Sequence, residues 1–273
     1  MTAVSFETAV SAGLAREAQV RHRRYIKQAV WGAIAIAVLW YAAHQIKFSP
    51  YAVAAGVPFM WDFLTRLFPP DLSYMSVLGS ATIETIQIAI WGTLLAIILS
   101  IPFSLLGARN TTPHIIVFHA TRVFLNALRA INELVFALIF VSAVGLGPFA
   151  GVLAIALHAT GMLAKFVAEE IESVDKGQIE AQLSTGASRM QVILFGVIPQ
   201  VIPSFVGYSI YRLDVSIRSA TVLGLVGAGG LGFSLIQTMK LFKYHQTATC
   251  ILVIFLLVLV SDWICGKLRR KVI

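Results

Sequence analysis

Residues 180–199 read EAQLSTGASRMQVILFGVIP, a short polar insert between strongly apolar runs at 148–168 and 199–225. The insert has its own punctuation. Glu180 and Ala181 open it, Gly186 and Ala187 stand where a helix would stop, and Pro199 lies at the threshold of the next apolar run. Glycine readily takes the left-handed conformation that ends helices, and proline is tolerated in the first turn of a new one. The pattern therefore predicts one surface helix, a glycine break and a second helix that climbs back into an apolar environment. A polar insert of this kind between two apolar segments is a place for another protein to dock.

The rest of the chain decides what that environment is. Of 273 residues, 58% are hydrophobic and only 12% are charged, and the mean hydropathy is +0.83. That much apolar surface does not fit inside one soluble core, so the chain needs lipid. Apolar runs lie at 28–46, 81–106, 134–144, 148–168, 199–225 and 247–264. Most reach the roughly 20 residues that a helix needs to cross about 30 Å of hydrocarbon. Residues 134–144 fall short, so that span is predicted to begin earlier, near Asn126. The runs are continuous and do not alternate, which selects helices over a barrel. The predicted fold is an all-α integral membrane bundle of about six transmembrane helices, residues 28–273, behind a cytoplasmic arm at 1–27. The length of the charged arm and of the 28–46 run favours an uncleaved first helix over a signal peptide.

Orientation follows from lysine and arginine. Arg16, Arg21, Arg23, Arg24 and Lys27 precede the first span, and Arg109, Arg122 and Arg129 lie between the second and third. Lys165, Lys176 and Arg189 lie between the fourth and fifth, and Lys267, Arg269, Arg270 and Lys271 follow the last. All fall on one side, which the positive-inside rule makes the cytoplasm. Both termini and the Glu180 insert are then predicted inside. The formal net charge of +8 is spread over these flanks. Topology and anionic headgroups account for it, so no nucleic-acid partner is expected.

Several familiar signals carry no chemistry. Cys250 and Cys265 share one predicted helix about 22 Å apart at 1.5 Å per residue, too far for a disulfide. His114 and His119 are off a shared face, and no Cys/His spacing suggests a metal site. Gly227, Gly229 and Gly232 satisfy G-x-G-x-x-G, but no predicted βαβ unit surrounds them and no acidic residue lies at the distance that would hold a ribose. These glycines instead permit a chain break at membrane depth, where protein or a water-filled cavity must surround it. No G-x-x-x-x-G-K-[ST] occurs, so ATP must be bound by a different chain.

Glu84, Glu133, Arg212, Asp214 and Arg218 fall inside apolar runs, where each costs a few kcal/mol unless it is paired or faces water. They form the candidate translocation pathway. Asp214 and Arg218 are four apart and able to neutralise each other, and Arg122, Asn126, Arg129 and Glu133 form a stripe that includes an Arg129–Glu133 pair. Arg212 has no partner on its own face. An unpaired guanidinium in a cavity would suit a small tetrahedral oxyanion, although ion pairs that only fix packing are an equal reading.

The Glu-Ala-x-x-x-x-Gly order with Pro199 thirteen residues beyond the glycine resembles the EAA loop of bacterial ABC importer permeases. Gln182 stands where that family has a second Ala, Gly196 where it has Ile, and Ile198 where it has Leu. The stretches RAINELVF (129–136), VGLGPFAGV (144–152), residues 208–232 and FPPD (68–71) are similar to the permease subunit of phosphonate/phosphite importers, and more loosely of methionine importers. The resemblance covers nearly the whole chain. It implies the type I importer permease fold, with residues 171–199 as the loop that couples to the ATPase through Glu180, Ala181, Gly186, Ala187 and Pro199. It also implies a second copy of the chain, two cytoplasmic ATPase subunits that hold ATP and Mg, and a periplasmic or lipid-anchored binding protein. Nothing in it calls for a cofactor bound by this chain. A secondary transporter would explain buried charges by ion coupling, but the two halves show no internal repeat and the Glu180 insert would be idle. A membrane enzyme would need a nucleophile with a base or a metal cluster, and neither is found.

Overall fold

The computed structural model describes residues 4–47 and 49–272. The chain divides into two units, Met1–Phe63 and Leu64–Ile273. In the first, helix α1 (Val4–Gln45) runs without a break through the predicted arm and the apolar residues after it. Residues 1–3 of that arm lie outside the described residues. Helix α2 (Pro50–Leu67) carries Pro58 in its interior and reaches across the division.

The second unit opens on a 3₁₀ turn, Leu72–Tyr74, capped by Asp71, whose side chain accepts from the Ser73 backbone at 3.1 Å. The Ser73 hydroxyl also holds this carboxylate below its usual pKa. Helix α3 (Met75–Gly107) follows, then α4 (Ile115–Ala130), α5 (Glu133–Val144) and α6 (Pro148–Ser173). The short α7 (Lys176–Ser184) and α8 (Arg189–Val192) lead through a π turn, Ile193–Val197, into α9 (Ile198–Leu223). A 3₁₀ turn, Gly224–Val226, leads to α10 (Gly230–Lys240), and α11 (Tyr244–Val272) closes the fold.

Close approach of α3 and α6 builds the core. Ala89, Gly92 and Ala96 on α3 are buried against Ala154, Ile155 and Ala159 on α6. A Cβ at Gly92 would stand 2.8 Å from the Ile155 Cβ, and one at Gly161 would stand 2.9 Å from the Leu128 Cβ on α4. Small residues replace hydrophobic drive where lipid is already apolar, because they let helices approach closely. Buried hydroxyls close back on their own helices, as Thr85 does to Ala81 O at 2.8 Å and Thr160 to Ala156 O at 2.7 Å.

Among the described residues, four stretches are long and apolar enough to cross a membrane: Leu72–Gly107, Pro148–Ser173, Arg189–Lys240 and Tyr244–Lys271. A fifth exists only if α4 and α5, bent by 88° from each other, are taken together. The predicted first span at 28–46 lies in α1 and is not among these stretches. One expectation changes. The span through 134–144 does not start near Asn126 as one helix. Asn132 accepts the Leu134 N–H at 2.9 Å and starts a new helix at Glu133, which breaks the stripe from Arg122 to Glu133 after Arg129.

Candidate functional site

The 171–199 loop has a regular construction. Asp175 caps α7 by accepting the Gly177 N–H at 2.9 Å, and α7 ends with Thr185 N donating to Gln182 O at 3.2 Å. Gly186 follows at φ +80°, with open space around its Cα. The Gln191 side chain then accepts the Ser188 N–H at 2.8 Å and starts α8. Pro199 is the second residue of α9. In a regular α-helix its ring would press on the carbonyl four residues back, and the π turn just before it gives the chain a wider loop, with Ile198 N bonding Ile193 O. Glu180, Ala181, Gly186 and Pro199 are exposed and Ala187 is half-buried. Leu183, Met190 and Phe195 are also exposed here, although the surrounding surface is polar.

A β-branched residue at Gly186 would cost about 1–2 kcal/mol in the left-handed region and would re-aim the chain between α7 and α8. Under the coupling role that the EAA-loop resemblance implies, Gly186→Val is expected to reduce the stimulation of ATP hydrolysis by substrate severalfold in a reconstituted complex. Unchanged stimulation would refute a coupling role for this break.

The five candidate pathway residues fall into three groups. Arg212, 2% exposed, donates from Nη2 to Glu133 Oε2 at 3.2 Å, and the Ser219 hydroxyl donates to the other oxygen of the same carboxylate. Glu133 sits in the first turn of α5, where the helix dipole favours an anion. Arg212 thus has a partner after all. The expectation of an unpaired guanidinium fails because the partner is 79 residues away on another helix. The Arg129–Glu133 pair fails for the same reason, since Glu133 faces Arg212.

In the second group Asp214, 2% exposed, pairs with Arg218 and accepts from the Ser261 hydroxyl at 3.4 Å. Arg218 also lies 3.6 Å from Asp262 Oδ1 on α11. Both side chains of that last contact are at least half exposed, at 50% and 65%. An exposed ion pair within a span faces protein or water, not lipid. Both candidate arginines are therefore already neutralised, and Asp262 adds one negative charge that the sequence reading passed over. Glu170 was also missed. It accepts from Ser204 at 2.6 Å and from Tyr208 at 3.2 Å, tying α6 to α9. Its partners lie one span away, beyond any helical periodicity.

Glu84 stands apart from both. It lines a cavity of about 430 Å³ with Gly147, Gly229, Gly230, Ser234 and Gln237. Irregular backbone from two places meets there: Gly147 N donates to Gly227 O at 3.0 Å, and Leu231 N to the Thr85 hydroxyl at 2.9 Å. The glycine run thus serves a chain break beside a cavity, as polar backbone at membrane depth requires.

Membrane-length helices with broken backbone and paired charges in their interior, joined by a polar loop that exposes apolar side chains, define a polytopic membrane permease. Sequence comparison makes this specific. The chain belongs to the family of binding-protein-dependent transport system inner membrane components, whose profile matches residues 100–273. It is 41% identical over 253 residues to HtxC of Stutzerimonas stutzeri, assigned to phosphite transport, covering 93% of this chain and 89% of the relative. It is 43% identical over 215 residues to the phosphite transport system permease PtxC of the same organism, covering 79% of this chain and 78% of that one. The MetNI methionine ABC transporter, solved in inward-facing conformations, has a chain of the same fold, with TM-score 0.64 and 20% identity, covering 74% of this chain and 99% of that chain.

Proposed function

We propose that this chain is the transmembrane subunit of an ATP-driven importer for phosphite, phosphonate or a related small phosphorus oxyanion. The observation that carries the reading is the identity of about two residues in five, over most of both chains, to permeases of phosphite transport. In this reading residues 171–199 seat on a cytoplasmic ATPase dimer that holds ATP and Mg, and the exposed Leu183, Met190 and Phe195 become covered. An external binding protein delivers the oxyanion, and alternating access carries it through. The exposed Arg218–Asp262 pair is turned towards a second permease chain or the pathway between two chains. That second chain is a copy of this one or a paralogue, since HtxC and HtxE are distinct permease proteins of one organism. Residues 1–27 remain a cytoplasmic arm, with 28–273 as the permease domain and both termini inside.

Reconstitution with the ATPase and binding protein is expected to give ATP-dependent uptake of phosphite. Uptake of methionine but of no phosphorus oxyanion would overturn the substrate assignment. Orientation has its own test. Cysteine placed at Asp175 or Ser184 should react with a membrane-impermeant reagent only from the cytoplasmic side, and labelling in intact cells would reverse the arrangement.

A further inference from the structure

We infer that Gln182 is a positioning residue for coupling: its side chain wedges into the notch at Gly196 and makes α7 and the π turn move as one body. This rests on the proposed role of the 171–199 loop.

Both ends of α7 bear on the same residue. At its start, the Asp175 N–H donates to Gln200 Oε1 at 3.1 Å, and Gln200 Nε2 donates in turn to Gly196 O at 2.6 Å. Towards its end, Gln182 reaches across to the bare Cα of Gly196. A Cβ there would stand 2.8 Å from Gln182 Oε1 and 3.2 Å from its Cδ, so only glycine leaves room for the amide. Gly196 is itself buried in the π turn that opens α9. A push on α7 therefore reaches the span through Gly196, by a hydrogen-bonded strut at one end and a steric wedge at the other.

The wedge works by shape. Gln182 Oε1 is buried and has no hydrogen-bond partner among the described residues. Its approach to Gly196 is therefore a steric contact and not a hydrogen bond. An apolar side chain of equal length should serve as well, and a short one should not.

The test compares Gln182→Ala, Gln182→Met, Gly196→Ala and the double Gln182→Ala/Gly196→Ala in the full complex, reading oxyanion transported per ATP hydrolysed. This ratio is insensitive to how much complex assembles. The atom that a Gly196 methyl would meet is the far end of a flexible side chain, so Gly196→Ala is expected to assemble. Gln182→Ala and Gly196→Ala should each lower the ratio at least threefold, Gln182→Met should stay within twofold, and the double variant should lose less than the product of the singles. Gln182→Ala within twofold of the unaltered complex, Gln182→Met as low as Gln182→Ala, or a multiplicative double variant would overturn the inference. A readout free of substrate separates it from the reading it rests on. Cysteines at 185 and 195, which line one surface cavity from the end of α7 and from the π turn and leave Gln182 and Gly196 in place, should be joined by a short thiol cross-linker at the same rate with and without ATP and vanadate, because the two elements move together. A rate change above threefold would also overturn it, whereas absent phosphite uptake by the unaltered complex would strike the substrate assignment alone.

Discussion

Arg212→Gln is expected to remove most of the assembled permease from the membrane. The guanidinium is buried between α5 and α9 and pairs with Glu133, and its neutral replacement leaves that carboxylate uncompensated. Breaking a buried pair from one side costs about 3–5 kcal/mol, a large part of the stability of an ordinary domain. The second substitution, Glu133→Gln, should restore assembly, because neither side chain then carries a stranded charge and the Ser219 hydroxyl still has an amide oxygen to bond. Size-exclusion chromatography of detergent-solubilised chain measures both variants. If Arg212→Gln assembles in normal amounts and loses only uptake, the pair is not structural and Arg212 regains a direct part in handling the oxyanion.

The Arg212 case also shows what the sequence made legible. Lipid embedding and helical class follow from the length and continuity of apolar runs, properties a single strand of text displays in full. The loop at 171–199 was equally readable, since its caps and glycine break are local chemistry: Asp175, Gly186 and Ser188 each act within a few residues of themselves. The break at Ile131–Asn132 was readable in principle, because Asn followed by Glu is a helix-start signal, but the length requirement of a membrane span pulled the predicted helix back across it. Pairing between helices was not readable. Glu133 with Arg212, Asp262 with Arg218 and Glu170 with Tyr208 are set by how spans pack, and periodicity reports only which face a residue occupies. The two departures at Gln182 and Gly196 looked independent in sequence and are in contact across the loop.

Gly232→Ala should be the most damaging methyl in the glycine run at 224–232. The start of α10 folds over the end of α9 so closely that a Cβ on Gly232 would run into the Thr221 carbonyl and lie 3.0 Å from the Gly224 Cα. From the other side, a Cβ on Gly224 would stand 2.6 Å from Phe233 N. These obstacles are backbone, which cannot swing away as a side chain would. Retreat is further blocked because Leu231 N is held by Thr85 and Gly227 O by Gly147. Over-packing of this kind costs at least about 1–3 kcal/mol, and its relief requires α10 to shift. Since Gly230, Ser234 and Gln237 line the cavity beside Glu84, that shift reshapes the cavity as well. The expected result is a lower melting temperature for solubilised chain and lost uptake. Gly79→Ala, where nothing lies within 4 Å, should change neither. Equal thermal stability of the two variants would mean that the crossing of α9 and α10 is looser than these distances require. The glycines that imitate a dinucleotide fingerprint would then lack the structural reason given for them, which is that two stretches of backbone must touch where the chain breaks inside the membrane.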